Sequence, residues 1–246
     1  MISFLKRAPI KWTLLFSMIA LGFGESITFD MGNFEGSITG RLIQGLIVLA
    51  VLSVAPSIVV MATSFTRFVV VFSCLRNALG TQQSPPNMVM ASLALFLTAY
   101  VMGPTLETAY EQGLQPLINQ KINEEEAFSK IIKPFHTFMG QNVREKDLEL
   151  FFNLSNTKVP ETIEQVPLKI MLPAFMISEL RRAFEIAFLL FLPFIVIDMV
   201  VASLLMAMGM MMLSPVLISL PFKIIFFVLV DGWYLLCGSL IQGFRY

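Results

Sequence analysis

The stretch from residue 189 to residue 236 is apolar enough to enter a bilayer, yet it is interrupted by residues that a plain anchor does not need. The interrupting residues are Asp198, Lys223, Asp231, Pro193, Pro215 and Pro221. Ionisable side chains inside membrane segments are costly and mark functional positions. Prolines there predict broken helices whose freed backbone groups need partners. The stretch is therefore predicted to be the working part of a membrane assembly.

Composition supports a membrane setting for the rest of the chain. Apolar residues make up 56% and charged residues 14% of the sequence, which is typical of a polytopic membrane protein. Of the 34 charged residues, 21 lie between residues 107 and 185, so one polar segment is predicted to separate two apolar blocks. The formal net charge is zero, which gives no indication of nucleic-acid binding.

The order of basic, apolar and polar segments predicts five regions. Residues 1–24 have a basic start, a short apolar run and a small-residue end, which predict a signal peptide, with an uncleaved signal anchor as the alternative. The others are an external N-terminal loop (25–41), a first membrane hairpin (42–104), a soluble periplasmic segment (105–169) and a second membrane hairpin with a Met-rich turn (170–246). The predicted fold class is all-α, a polytopic membrane protein of kinked helical hairpins with a small helical soluble insert.

Several single residues give local predictions. Asn123 followed by Glu126 resembles a capping box at the start of a helix in the insert. Pro85 follows a turn-rich run and predicts the end of a helix. Arg67 stands among apolar residues and is expected to have a partner or a wet surface. If the signal peptide is cleaved, the insert and the C-terminus are both expected on the outer side of the membrane, and the Met-rich turn on the inner side.

Asp198 and Lys223 are placed symmetrically about a methionine-rich run. The midpoint between them falls within residues 209–212, so a hairpin turning there brings the acid and the base to the same depth. They are then predicted to form an ion pair, within one subunit or with a neighbour, because pairing lowers the cost of charge in the membrane. The alternative is a wet groove in which both are merely solvated.

The methionine-rich run MAMGMMM at residues 206–212 holds five methionines. Methionine is a common adaptable filler of cores and lipid-facing surfaces. The clustering at one turn beside Gly209 favours a second interpretation. Unbranched thioethers that project together around an axis are predicted to form a soft plug that deforms when something passes.

The chain lacks the patterns of the familiar enzyme classes. It has no P-loop, GxSxG, HExxH, CxxC or GxGxxG motif, so the prediction is that it is not an enzyme and carries no cofactor or metal. His136 is the single histidine and is interpreted as a surface or packing residue. The two cysteines, Cys74 and Cys237, lie in apolar sequence without metal-ligand spacing.

Four long runs resemble the flagellar biosynthesis protein P (FliP) family, a core membrane component of the type III secretion export gate. They occupy residues 61–87, 93–104, 178–223 and 227–240, and include TSFTRFVVVFSCLRNALGTQQSPPN and SELRRAFEIAFLLFLPFIVIDMVVASLLMAMGMMM. The related injectisome subunit is a near alternative. A small secondary transporter is the alternative from another class, because broken helices with charges near the midplane also occur there.

The resemblance implies a subunit that forms a homo-oligomer, expected to be a pentamer, with the sister export-gate proteins FliQ and FliR. Unfolded flagellar substrates are expected to pass through its pore in the bacterial inner membrane, at the flagellar basal body. It further implies that Met210, Met211 and Met212 form the pore gasket. Glu179, Asp198 and Lys223 are expected to make polar contacts between subunits.

Overall fold

A computed structural model describes residues 45–46, 49–50, 53, 57–58, 60–81, 84–160, 162–210 and 212–244. The predicted signal peptide and external loop lie outside these residues. The description below concerns the unit that runs from residue 51 onward.

The described part of this unit is helical and contains no strand. We number its α-helices from Phe65. They are α1 (Phe65–Leu79), α2 (Asn87–Val101), α3 (Gly103–Ala109), α4 (Gln115–Ile118), α5 (Glu124–Asn142), α6 (Glu145–Ser155), α7 (Leu168–Ala207), α8 (Pro215–Leu229) and α9 (Gly232–Gln242). A π-helix (Tyr110–Leu114) joins α3 to α4, and a 3-10 helix (Ile163–Gln165) precedes α7. The predicted all-α class is confirmed for this part of the chain.

The long helix α7 is the centre of the packing. It contacts α1, α5, α6 and α8, while α1 also packs against α2 as the first hairpin. The turn of that first hairpin begins at Gly80, whose φ of 79° lies in the left-handed region that glycine adopts without strain. As predicted, none of the described residues between Gly80 and Pro86 is helical, and the next helix follows Pro85 and Pro86. One apolar core therefore runs beneath both hairpins and the insert.

The prediction that prolines break the helices of the second hairpin is wrong for two of the three. Helix α7 continues through Pro193, and also through Pro173 upstream, while α8 continues through Pro221. A helical proline loses one backbone hydrogen bond, and packing from a neighbouring helix compensates for it. Phe194 supplies such packing, since it is 2% exposed and its ring meets the Phe226 ring edge-on at 6.2 Å. Pro215 occupies the first position of α8, where the missing N–H has no cost.

The sharp bends lie between helices rather than at these prolines. Helix α2 and the segment 103–118 meet at 61°, and α8 and α9 meet at 63°. The second bend passes through Asp231, which has a positive φ of 51°. Gly232 follows because the ring of Phe227 occupies the space that a Cβ there would need.

Helix α7 is the one helix among the described residues that is long and apolar enough to cross a membrane alone. The number rises to three if each bent pair counts as a single span. At ~1.5 Å per residue, its 40 residues reach about 60 Å, twice the ~30 Å hydrocarbon core. The chain thus has at least one helix that is suited to a membrane. That it crosses the membrane several times stays a prediction.

The helical insert has the capping predicted from its sequence. The backbone N–H of Glu126 donates to Oδ1 of Asn123 at 2.8 Å, and three glutamates occupy the first turn of α5. The half-buried His136 ring lies 2.7 Å from the carbonyl oxygen of Val166 through Nε2, and its interpretation as a surface or packing residue stays a prediction. The insert ends where α7 begins, so its position is fixed by the N-terminal half of that helix.

Candidate functional site

The methionine-rich run forms the tip of the hairpin made by α7 and α8. Helix α7 ends in a Schellman motif, in which Gly209 N–H donates to Met206 O at 3.0 Å and Met210 N–H donates to Leu205 O at 2.9 Å. Gly209 has a φ of 74°, which explains why a glycine interrupts the methionines. The predicted turn at this position is therefore present.

The methionines at this tip lie on the surface of the chain. Met206, Met208 and Met210 are exposed by 59%, 60% and 46%, and the side chain of Met212 is fully exposed. Met211 lies outside the described residues. Clustered exposed thioethers form a flexible apolar surface that adapts to different contacts.

Asp198 and Lys223 form an ion pair between the two arms of this hairpin. Lys223 Nζ lies 2.6 Å from Asp198 Oδ2 and 3.2 Å from the carbonyl oxygen of Ala78 in the last turn of α1. The hydroxyl of Ser219 donates to Asp198 Oδ1 at 2.5 Å. The predicted pairing thus occurs within one chain, and a contact with a neighbouring subunit stays a prediction.

The environments of the two charges differ. The Lys223 side chain is 4% exposed, whereas that of Asp198 is 33% exposed. An ammonium group donates three hydrogen bonds, and two of these reach acceptors in the chain. Because the base is enclosed and the acid opens outward, the pair presents a carboxylate at the flank of the hairpin.

Glu179 pairs with Arg67 in the interior. Arg67 Nε and Nη2 donate to the two carboxylate oxygens of Glu179 at 2.7 Å and 2.5 Å. Both side chains are essentially inaccessible, at 1% and 0% exposure. The bidentate geometry matches the planar guanidinium to the carboxylate and satisfies two charges that would otherwise be costly to bury. Both oxygens of Glu179 are occupied within the chain, and its predicted contact with another subunit stays a prediction.

The sequence predicted either a partner or a wet surface for Arg67, and did not indicate which residue the partner is. The two residues of this pair are 112 positions apart, so no helical spacing connects them. The available signal was that Arg67 is charged among apolar neighbours in the first block and that Glu179 is the first of four charges near the start of the second. Opposite charges in two blocks that pack together are candidates for pairing.

Next to Glu179, Ser178 joins the insert to α7. Its hydroxyl lies 2.6 Å from Asp147 Oδ2 and accepts from the backbone N–H of Arg144 at 3.1 Å. The Arg144 guanidinium forms two further bonds of 2.8 Å to Asp147. This contact was not predicted from the sequence, because mixed charges in a polar segment more often form a solvated face.

The remaining charges of this part of α7 lie at the surface. Arg181 and Glu185 form an exposed pair one helical turn apart, with 2.7 Å between Nε and Oε1. Among the described residues, no group of three or more histidines, cysteines, aspartates or glutamates has the arrangement of a metal site. The chemistry of the site is therefore that of paired charges and an apolar tip.

The fold and the site together define an all-helical protein with a helix suited to a membrane and charged pairs enclosed between its helices. The model of the FliP family matches residues 48–240, and the chain therefore belongs to the FliP family. This match includes helices α1 to α8, with the insert and the methionine tip.

Relatives with this family name occur in distant bacteria. The chain is 56% identical to "Flagellar biosynthetic protein FliP" of Caulobacter vibrioides, over 90% of this chain and 83% of that protein. It is 48% identical to the protein of the same name from Agrobacterium fabrum, over 97% of this chain and 99% of that one. The Bacillus subtilis protein of this name is 53% identical, over 81% and 90% of the two chains.

Proposed function

We propose that this chain is a core subunit of the flagellar type III protein export gate in the bacterial inner membrane, at the flagellar basal body. Several copies, in a ring that the resemblance implies is a pentamer, assemble with FliQ and FliR. Unfolded flagellar proteins pass through the pore that they form. The region 105–169 is the periplasmic segment, and the chain has no catalytic role of its own.

The methionine tip is the observation that carries this proposal. Several exposed methionines lie on one hairpin turn, and exposed apolar clusters mark surfaces that meet a partner or a membrane. In a ring, the tips of neighbouring copies converge on the axis. Met210, Met211 and Met212 then seal the opening, and their unbranched side chains deform to admit an unfolded chain.

The charged residues have a supporting role in this proposal. The carboxylate of Asp198 is partly open at the flank of the hairpin, where a neighbouring copy would lie. Lys223 holds that carboxylate and the end of α1 in place. Glu179 fixes the N-terminal half of α7 to α1 through its ion pair with Arg67. Together they set the angle at which the hairpin tip points toward the axis, and the contacts between subunits form around this frame.

Replacement of Met210, Met211 and Met212 together by glycine tests the seal. We expect the subunit to assemble with its partners and the cells to leak small solutes, because glycine removes the side chains that close the pore. Replacement of the same three residues by leucine keeps their bulk and is the matched control, expected to remain sealed. Unchanged permeability in the glycine variant, with assembly intact, would count against the gasket.

Native mass measurement after mild detergent extraction separates the classes of protein. A gate subunit is expected as a multimer with its sister proteins, whereas a secondary transporter is expected as a stable monomer or dimer. Restored swimming when the chain is expressed in a bacterium that lacks its own flagellar homologue separates the flagellar gate from an injectisome subunit.

A further inference from the structure

Phe244, which follows α9 after the exposed Gly243, turns inward and is buried. Helix α9 ends at Gln242, and Phe244 is 4% exposed between elements that are distant in sequence. Its ring centroid lies 5.7 Å from that of Phe68 on α1 and 6.0 Å from that of Phe138 on α5. Residues 243–244 thus connect the end of the last helix to both the first hairpin and the insert.

Arg67 holds this segment through two different contacts. Its Nη1 donates to the carbonyl oxygen of Gly243 at 3.0 Å, and its Cζ lies 3.5 Å from the centroid of the Phe244 ring. A guanidinium stacked on an aromatic face is attracted to it, and more strongly where water is excluded. Because Glu179 binds the remaining edge of the guanidinium, Arg67 presents a rigid surface to the segment.

On the other side, Phe244 lies against the insert. The rings of Phe138 and Phe244 are nearly parallel, at 24°, and Phe138 also meets Phe175 of α7 at 65°. Phe138 is 3% exposed and belongs to the C-terminal half of α5. Loss of the Phe244 ring would leave a cavity beside this half of α5, which is the side facing α7.

We propose that Gly243 and Phe244 form a latch that couples α9 to the helical insert. Movement of the insert away from α7 withdraws Phe138 from Phe244, and movement of α9 withdraws Phe244 from Phe138. The latch thereby joins the insert to the second hairpin, which carries the methionine tip. The point of contact is far from that tip in the sequence. The latch goes beyond the export function, because it is a property of the single chain and requires no pore.

Hydrogen exchange of the full-length chain in detergent micelles, read by mass spectrometry, tests the latch. In Phe244→Ala we expect the backbone amides of residues 135–142 to exchange at least about tenfold faster, because a large buried side chain is lost beside them. Amides at the start of α8 are expected to keep their exchange rates. The matched control is Phe222→Ala, which removes a phenylalanine that is 55% exposed on α8 and is expected to leave α5 unchanged.

The reciprocal variant guards against a folding defect at the end of the chain. Coupling between two sites acts in both directions. Phe138→Leu, which keeps an apolar side chain, is therefore expected to speed exchange in residues 236–242 of α9. The latch is overturned if Phe244→Ala leaves α5 at the wild-type rate, if it accelerates all helices alike, or if Phe138→Leu has no effect on α9. Each readout is independent of secretion, so its failure is distinct from a failure of the export role.

Discussion

Two ion pairs lie along the same helix and differ in how far they are closed off from water. Arg67–Glu179 is buried on both sides and bidentate, whereas Lys223–Asp198 encloses the base and leaves one third of the acid accessible. The first joins α1 to α7 and the second joins α7 to α8, with a bond to α1. When both side chains are buried, each charge can be compensated only by its partner. When one side chain is partly exposed, water or another chain can also bind to it.

The difference identifies separate roles for the two ends of α7. A fully enclosed pair maintains a fixed arrangement, because breaking it strands a charge in the core. A half-open pair retains its geometry and still offers a carboxylate to a neighbour. The enclosed pair lies near the insert and the open pair lies toward the methionine tip, which is the part proposed to meet other subunits.

The largest effect is expected from Glu179→Ala. It leaves the buried guanidinium of Arg67 without its counter-ion, which costs about 3–5 kcal/mol in free energy of unfolding. Equilibrium unfolding of the purified chain in micelles measures it. Glu185→Ala is the matched control, since it removes an exposed partner on the same helix and is expected to have a far smaller effect on the free energy of unfolding. Equal losses in the two variants would contradict the enclosed character of the first pair.

A smaller effect is expected from Lys223→Met, which removes the charge and keeps most of the bulk. Asp198 is left without its base but can recruit water through its open side, so we expect a loss of about 1–2 kcal/mol in free energy of unfolding. The same variant is expected to impair assembly of the oligomer, measured by native mass. A loss as large as that of Glu179→Ala would show that the second pair is closed as well.

The smallest effect is expected from Ser219→Ala, which removes the hydroxyl that donates to Asp198. The loss of one hydrogen bond to a charged group on a partly open carboxylate is expected to cost about 1 kcal/mol in free energy of unfolding. Ser203→Ala is the matched control, because its hydroxyl on α7 bonds only to the carbonyl oxygen of Met199 one turn earlier. If both serine variants unfold alike, Ser219 does not support the open pair.

Features that depend on spacing along one segment could be predicted from the sequence. The symmetric positions of Asp198 and Lys223 about a glycine-containing turn indicated their pairing, and Asn123 indicated the start of α5. These predictions needed only helical geometry and the chemistry of helix ends.

Features that depend on tertiary packing could not be predicted in the same way. The sequence around Pro193 does not indicate that Phe226 packs against Phe194. It therefore does not indicate that α7 continues through Pro193. The partner of Arg67 lies in another block, and the burial of Phe244 depends on three elements at once. Such contacts follow from how the helices meet, which local periodicity does not encode.

The length of α7 gives its two pairs a geometric consequence. From Glu179 to the end of the helix at Ala207 is about 42 Å at ~1.5 Å per residue, so the enclosed pair is the fulcrum of a long lever. A tilt of about 5° at that fulcrum displaces the far end by about 4 Å. A small side-chain rearrangement near the insert is thus sufficient to move the methionine tip by about 4 Å, which is roughly the width of a thioether group.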